Sequence, residues 1–145
     1  MGASPDMVPM KLMRDDATLV ALLSDGSNSI YPGDAPDQAE YPFITYQSRL
    51  IEPGTNLAGN HPLKGYMITV ACLARTYLRT KEMETAVRSV LDGVRQTTVT
   101  IGSTTIDVRA IDEDSARDIK FKDTKGGDVG VFSTEIDYRL FANLP

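Results

Sequence analysis

The 145-residue sequence has one cysteine, one histidine and no tryptophan, and each shortage removes a class of protein. A lone Cys72 forms no intramolecular disulfide, and with His61 as the sole histidine there is no cysteine–histidine cluster for a structural metal. The fold must be held by its apolar core, and a chain of this length buries about 70% of the surface it exposes when unfolded. No apolar run approaches the roughly 20 residues that span a bilayer. The stretch from Met1 to Met13 lacks the unbroken apolar segment of a secretory signal. We therefore expect one domain over residues 1–145, made in a cytoplasm, with residues 1–8 as a flexible leader. Basic residues are also in deficit, 15 Lys and Arg against 20 Asp and Glu, for a net charge of −5. That balance disfavours a broad DNA-binding surface, because neutralising phosphates requires the opposite sign.

What is present is periodic. Met10, Met13, Ala17, Val20 and Leu23 recur at helical spacing behind Pro9, predicting a helix from Pro9 to Leu23 that Ser24 to Asn28 terminate. Pro32 to Asp37 then read as a surface connection without regular structure. Tyr41 to Ile51 alternate as a half-buried strand with Ile44, Tyr46 and Leu50 inward. Glu52 to Lys64, rich in Pro, Gly and Asn, form a long loop. Gly65 to Arg75, the most apolar stretch, reads as a central strand covered on both faces.

A second helix follows, capped by Thr76 or Thr80, with Met83, Ala86, Val87, Val90, Leu91 and Val94 as its apolar stripe and Gly93 at its C-terminal end. Gly102 and Ser103 between β-branched runs predict a type II′ hairpin in which Ile106, Val108 and Ala110 share a face. Glu113 to Asp128 read as a charged insertion before a last strand from Val129 to about Ala142. In that strand Phe132, Ile136, Tyr138 and Leu140 point one way. The order predicts an α+β fold: a mostly antiparallel β-sheet with two main helices packed on one face.

The residues that carry chemistry elsewhere are poorly placed for it here. His61 lies between Asn60 and Pro62 in the long loop, and Cys72 alternates with Ile68, Val70 and Ala74 as a core residue would. The acidic groups Asp15–Asp16 and Asp112–Glu113–Asp114 lack the ligand spacing of a calcium loop. Gly126 and Gly127 precede a strand rather than a helix, so they do not form a phosphate cradle. We expect no catalytic, cofactor-binding or metal-binding residues, no cofactor, and no enzyme. More informative are Arg49, Arg75, Asp107, Arg109, Glu135, Asp137 and Arg139, which place both charge signs on strand positions alternating with the core. Such a face either pairs with a copy of itself in a ring or is simply solvated.

One succession is familiar. It has Leu19, Val20 and Leu22 in the first helix, the Ile30-Tyr31-Pro32-Gly33 turn, the strand Tyr41-Pro42-Phe43-Ile44-Thr45-Tyr46, then Thr76-Tyr77, and a helix ending Val90-Leu91-Asp92-Gly93. From about Leu12 to Phe141 this resembles the tail-completion (tail-terminator, or head–tail joining) family of tailed bacteriophages and prophages. The resemblance implies a non-catalytic α+β subunit that assembles as a ring, commonly a hexamer, on the head-proximal end of the tail tube. Its implied partners are further copies of itself, the major tail tube protein and a head-side connector protein, with genome DNA passing through the ring and no membrane involved. Its implied location is the host cytoplasm during assembly and then the virion neck. The charged Asp114–Asp128 stretch is longer than usual in the family, so loop contacts do not carry over.

The candidate subunit or tube interface comprises Arg49, His61, Lys64, Arg75, Asp107, Arg109, Lys120, Lys122, Glu135 and Arg139. Three alternatives stay open: another neck component (a head-closure or connector-adaptor protein), a metal enzyme built on Asp112, Glu113 and Asp114, and an oligomeric interaction module unrelated to phage.

Overall fold

The computed structural model describes residues 4–36, 38–52, 55–56, 59–60, 64–122 and 130–143. The helical spacing that begins near Pro9 makes two short helices rather than one: α1 (Val8–Arg14) and α2 (Ala17–Val20). Asp16 divides them. Its backbone is extended (φ −90°, ψ 111°) and its carboxylate accepts the Leu19 amide proton at 2.9 Å, capping a new helix. The apolar spacing survives the break because Val8, Met13, Leu19 and Leu23 all enter the same core. Part of the expected leader is docked: Pro5 begins a 3-10 turn and is buried, and Asp6 accepts from the Ser48 hydroxyl at 2.5 Å.

Strands β1 (Ile30–Pro32), β2 (Phe43–Glu52), β5 (Lys64–Ala74), β6 (Val94–Ile101), β7 (Thr104–Lys122) and β8 (Gly130–Asn143) form one sheet in the order β1-β2-β5-β8-β7-β6. A separate two-residue ladder joins β3 (Thr55–Asn56) to β4 (Gly59–Asn60) within the predicted long loop. The antiparallel expectation holds from β2 to β6, but β1 runs parallel to β2, so the sheet is mixed. With only three residues before the Pro32–Gly33 turn, β1 is too short to show alternation in sequence.

Helix α3 (Tyr77–Leu91) is capped by Thr76, whose side chain accepts from the Arg79 amide at 3.2 Å. Thr80 sits inside the helix and donates back to the Tyr77 carbonyl. The predicted stripe is buried at Met83, Ala86, Val87 and Leu91, with Val90 and Val94 packed against its margin. Gly93, at φ +82°, turns the chain into β6, a backbone geometry that L side chains resist. Gly102 has φ +62° in the β6–β7 turn, as a type II′ hairpin requires at its first central position.

The core lies on one face of the sheet. Ile68, Val70 and Cys72 of β5 and Ile136, Tyr138 and Leu140 of β8 are fully buried there. The other face of β5, carrying Met67, Thr69, Ala71 and Leu73, is only partly buried, so this strand is not covered on both sides as its composition predicted. Leu50, predicted inward, is 50% exposed, because it lies on the end of β2 that extends past β1.

A bulge at Arg109 also overturns the prediction that Ala110 shares a face with Ile106 and Val108. Ala110 stands opposite Phe141 on the open face, and Ile111 takes the inward place opposite Leu140. The largest departure concerns the predicted charged insertion: its first ten residues, 113–122, continue β7 and pair with β8, with a second bulge at Asp114. Residues 114–119 are exposed, so nothing in their composition alternates and the strand shows only in its pairing.

Candidate interface on the open sheet face and its edge

The face of the sheet opposite the core is built in rows set by cross-strand register. Arg49, Met67, Arg139 and Asp112 form one row, Gln47, Thr69, Asp137 and Ser115 the next, and Thr45, Ala71, Glu135 and Arg117 a third. Directly opposed side chains interact across strands, so these rows are the units of the surface. At the centre, Asp137 accepts from Thr69 Oγ1 at 2.7 Å, Ser115 Oγ at 3.0 Å and Arg117 Nη1 at 3.1 Å. Burial alone raises this carboxyl's pKa, but the three donors and the Arg117 charge outweigh it and hold the group below the usual carboxylate value. Arg117 also reaches Glu135 Oε2 at 2.7 Å, one guanidinium bridging two β8 carboxylates. Arg139 pairs with Asp114 at 3.2 Å and Arg95 with Asp112 at 2.6 Å.

The core side of the same β7 half is clamped to α3. Glu84, 6% exposed, accepts from Lys81 at 3.0 Å and Arg88 at 2.7 Å. Those cations reach across to Asp118 at 2.9 Å and Glu113 at 2.6 Å. The Asp92 carboxylate accepts the Glu113 amide proton. The Asp118 carboxyl is held low, first by its hydrogen bond from Lys81. This ladder fixes the outer half of β7 against the helix. Beyond it, Tyr77 packs edge-on against Phe132, and Tyr77, Leu78 and Ile119 expose apolar surface at that end of the molecule.

The ten residues singled out in the sequence do not form one site. Arg49, Glu135 and Arg139 fall on the open face, and among the described side chains no carboxylate lies within ion-pair distance of Arg49. Asp107 and Arg109 pair with each other at 3.6 Å near the hairpin end of β7. Lys64 begins β5 at that same end of the sheet. Arg75 lies at the opposite end, 4.5 Å above the Tyr41 ring. Lys120 and Lys122 occupy the outer end of β7, and His61 lies outside the described residues.

The sequence reading missed Arg117 and Asp118, because it took their segment for an insertion, and it weighed Asp114 only as part of an acidic metal cluster. It also missed the helix ladder, although the i, i+3 and i, i+4 spacing of Lys81, Glu84 and Arg88 was a usable signal. Among the described residues no group of three or more His, Cys, Asp or Glu has a geometry that would hold a metal ion. The chemistry on display is charge pairing, which suits recognition of a protein surface.

No protein-family model matches the chain, and no curated protein matches it. Among solved structures, the fold is similar to that of a chain in the virion of a native gene transfer agent (GTA) particle, with a TM-score of 0.65 and 12% sequence identity. The match covers 93% of this chain and 91% of that one. At this identity the likeness establishes a shared fold over nearly the whole length of both chains.

Proposed function

We propose that this chain is a structural, non-catalytic virion protein of a phage-like particle, which caps the head-proximal end of the tail tube and joins tail to head. The observation that carries the reading is the end-to-end fold likeness to a chain of a gene transfer agent virion. The tail-completion pattern in the sequence, which spans about Leu12 to Phe141, adds the particular role. In this reading the protein works as a closed ring of identical subunits, assembled in the host cytoplasm. Its partners are the tail tube protein on one side and a connector on the other, with genome DNA passing through the centre. Ending a helical stack needs one face complementary to the tube and another that rejects a further ring. The unequal faces of this sheet, one covered by helices and the other laddered with charge, supply that difference.

The test is binding to purified particle parts. Gold-labelled protein is expected at one tip of isolated tail tubes in electron micrographs, and its gene's deletion should leave tubes of uncontrolled length. Binding to emptied heads but not to tubes would replace this reading with that of a head-closure or adaptor protein.

A further inference from the structure

The six-stranded sheet has β1 at one margin and β6 at the other, and β7 beyond Ile111 is also open because β6 pairs with it no further. Unpaired backbone donors and acceptors take up any passing strand, so natural edges are guarded by charge, proline or brevity. β1 has three residues and ends in Pro32. The open half of β7 carries Asp112, Glu113, Asp114, Arg117 and Asp118. β6 has no such guard: the chain has a net charge of −5, yet Gln96 to Ile106 contains no charged residue. Among the described residues only β7 pairs with it. Gln96, at φ +41°, interrupts the strand on one side and the Gly102 turn ends it on the other. Between these limits stand Thr97, Thr98, Val99, Thr100 and Ile101, all β-branched, in an order that reads nearly the same in both directions about Val99.

We infer that the outer edge of β6 is a docking surface for a second copy of this chain, the two β6 strands pairing antiparallel about a two-fold axis at Val99. In that register Val99 of one copy faces Val99 of the other, Thr98 faces Thr100, and Thr97 faces Ile101. Every position therefore meets a β-branched partner, and no charge meets a like charge. The faces agree as well. Thr98 and Thr100, both exposed, lie on the open face of each sheet, while Val99 lies on the core side opposite Ile106, with Thr97 and Ile101. An extended segment of different sequence gains the same backbone hydrogen bonds, but only an identical copy repeats this symmetry of side chains. The contact is isologous and closes on itself, so it joins two sheets into one without propagating. The proposal goes beyond the capping role, since it concerns the free protein before any tube is present.

The test uses the full chain in light scattering and sedimentation across a concentration series. A monomer–dimer equilibrium is expected. Thr98→Lys with Thr100→Lys should weaken the dimer about tenfold, because two symmetry-related lysine pairs then meet across the axis, and the loss should shrink as salt rises. Thr98→Lys with Thr100→Glu should regain the affinity, since lysine then faces glutamate at both places, and no general loss of folding would mimic that recovery. A chain that stays monomeric at every concentration overturns the proposal and leaves the edge to an extended segment of another protein. A dimer that tolerates the two lysines overturns it as well. A six-membered ring unaffected by either pair of changes overturns this edge contact and leaves the capping role standing. Failure to bind tubes by a chain that passes the charge test removes the capping role and leaves the edge contact.

Discussion

Cys72 and Tyr138 lie fully buried in the apolar layer beneath α3, and burial raises the pKa of both. Burial, with a smaller contribution from Glu84, pushes the Cys72 thiol up to about 12, so almost no thiolate exists near neutral pH. The folded protein should resist alkylation by iodoacetamide at pH 8 and take up one label per chain in urea. Labelling of the native state would mean that the layer opens. The Tyr138 hydroxyl has no hydrogen-bond partner among the described residues, and burial pushes its pKa up as well. A buried unsatisfied hydroxyl is a cost, so Tyr138→Phe is expected to be neutral or to stabilise by up to about 1 kcal/mol in urea unfolding. The alternation of β5 revealed Cys72 as core, whereas no local pattern tells whether a hydroxyl finds a partner.

At the scale of elements, the join between α3 and β7 rests on charges that are only partly solvated. Arg88 closes on both Glu84 and Glu113, and Glu84 is nearly buried. Arg88→Ala leaves that buried carboxylate with Lys81 as its remaining cation, and a loss of about 2 kcal/mol is expected from charge-assisted hydrogen bonding. The exposed pair of Lys11 and Asp15 within and just after α1 makes the control: Lys11→Ala should cost under about 0.5 kcal/mol in the same assay. Equal losses would show that the α3 ladder is as solvated as the surface pair. The α3 stripe, the Gly93 turn and the β6–β7 hairpin were all legible, because each depends on neighbours within a turn or two. The outer half of β7 was not, since its exposed residues carry no apolar period.

For the whole molecule, titration brackets a stability plateau. Asp118 and Asp137 are held below their ordinary value of 3.8, so their contribution is complete above that pH and is withdrawn as pH falls below it. Cys72 runs the other way. Its thiol moves from 9.0 in the open chain to about 12 when folded, so only the unfolded state loses this proton just above pH 9, and stability declines as pH rises from there. Melting temperature should therefore be flat from about pH 4 to 9 and fall on both sides. A rise in melting temperature on acidification below pH 4 would contradict the carboxylate assignments.

The sequence by itself determined the α+β class, the helix and strand periodicities, the capped start of α3 and the membership of most of the core. All of these follow from which residues are apolar at short repeat distances, and burial writes that signal locally. Only the tertiary structure decided that β1 runs parallel to β2, that Asp16 splits the first helix, and that a bulge turns Ala110 outward. It likewise decided that a charged stretch is an edge strand whose acids and bases find partners on α3 and β8. Those partners lie 18 to 37 residues away in the chain, and an ion pair at such separation leaves no periodic trace, because its geometry exists only once the strands are in register.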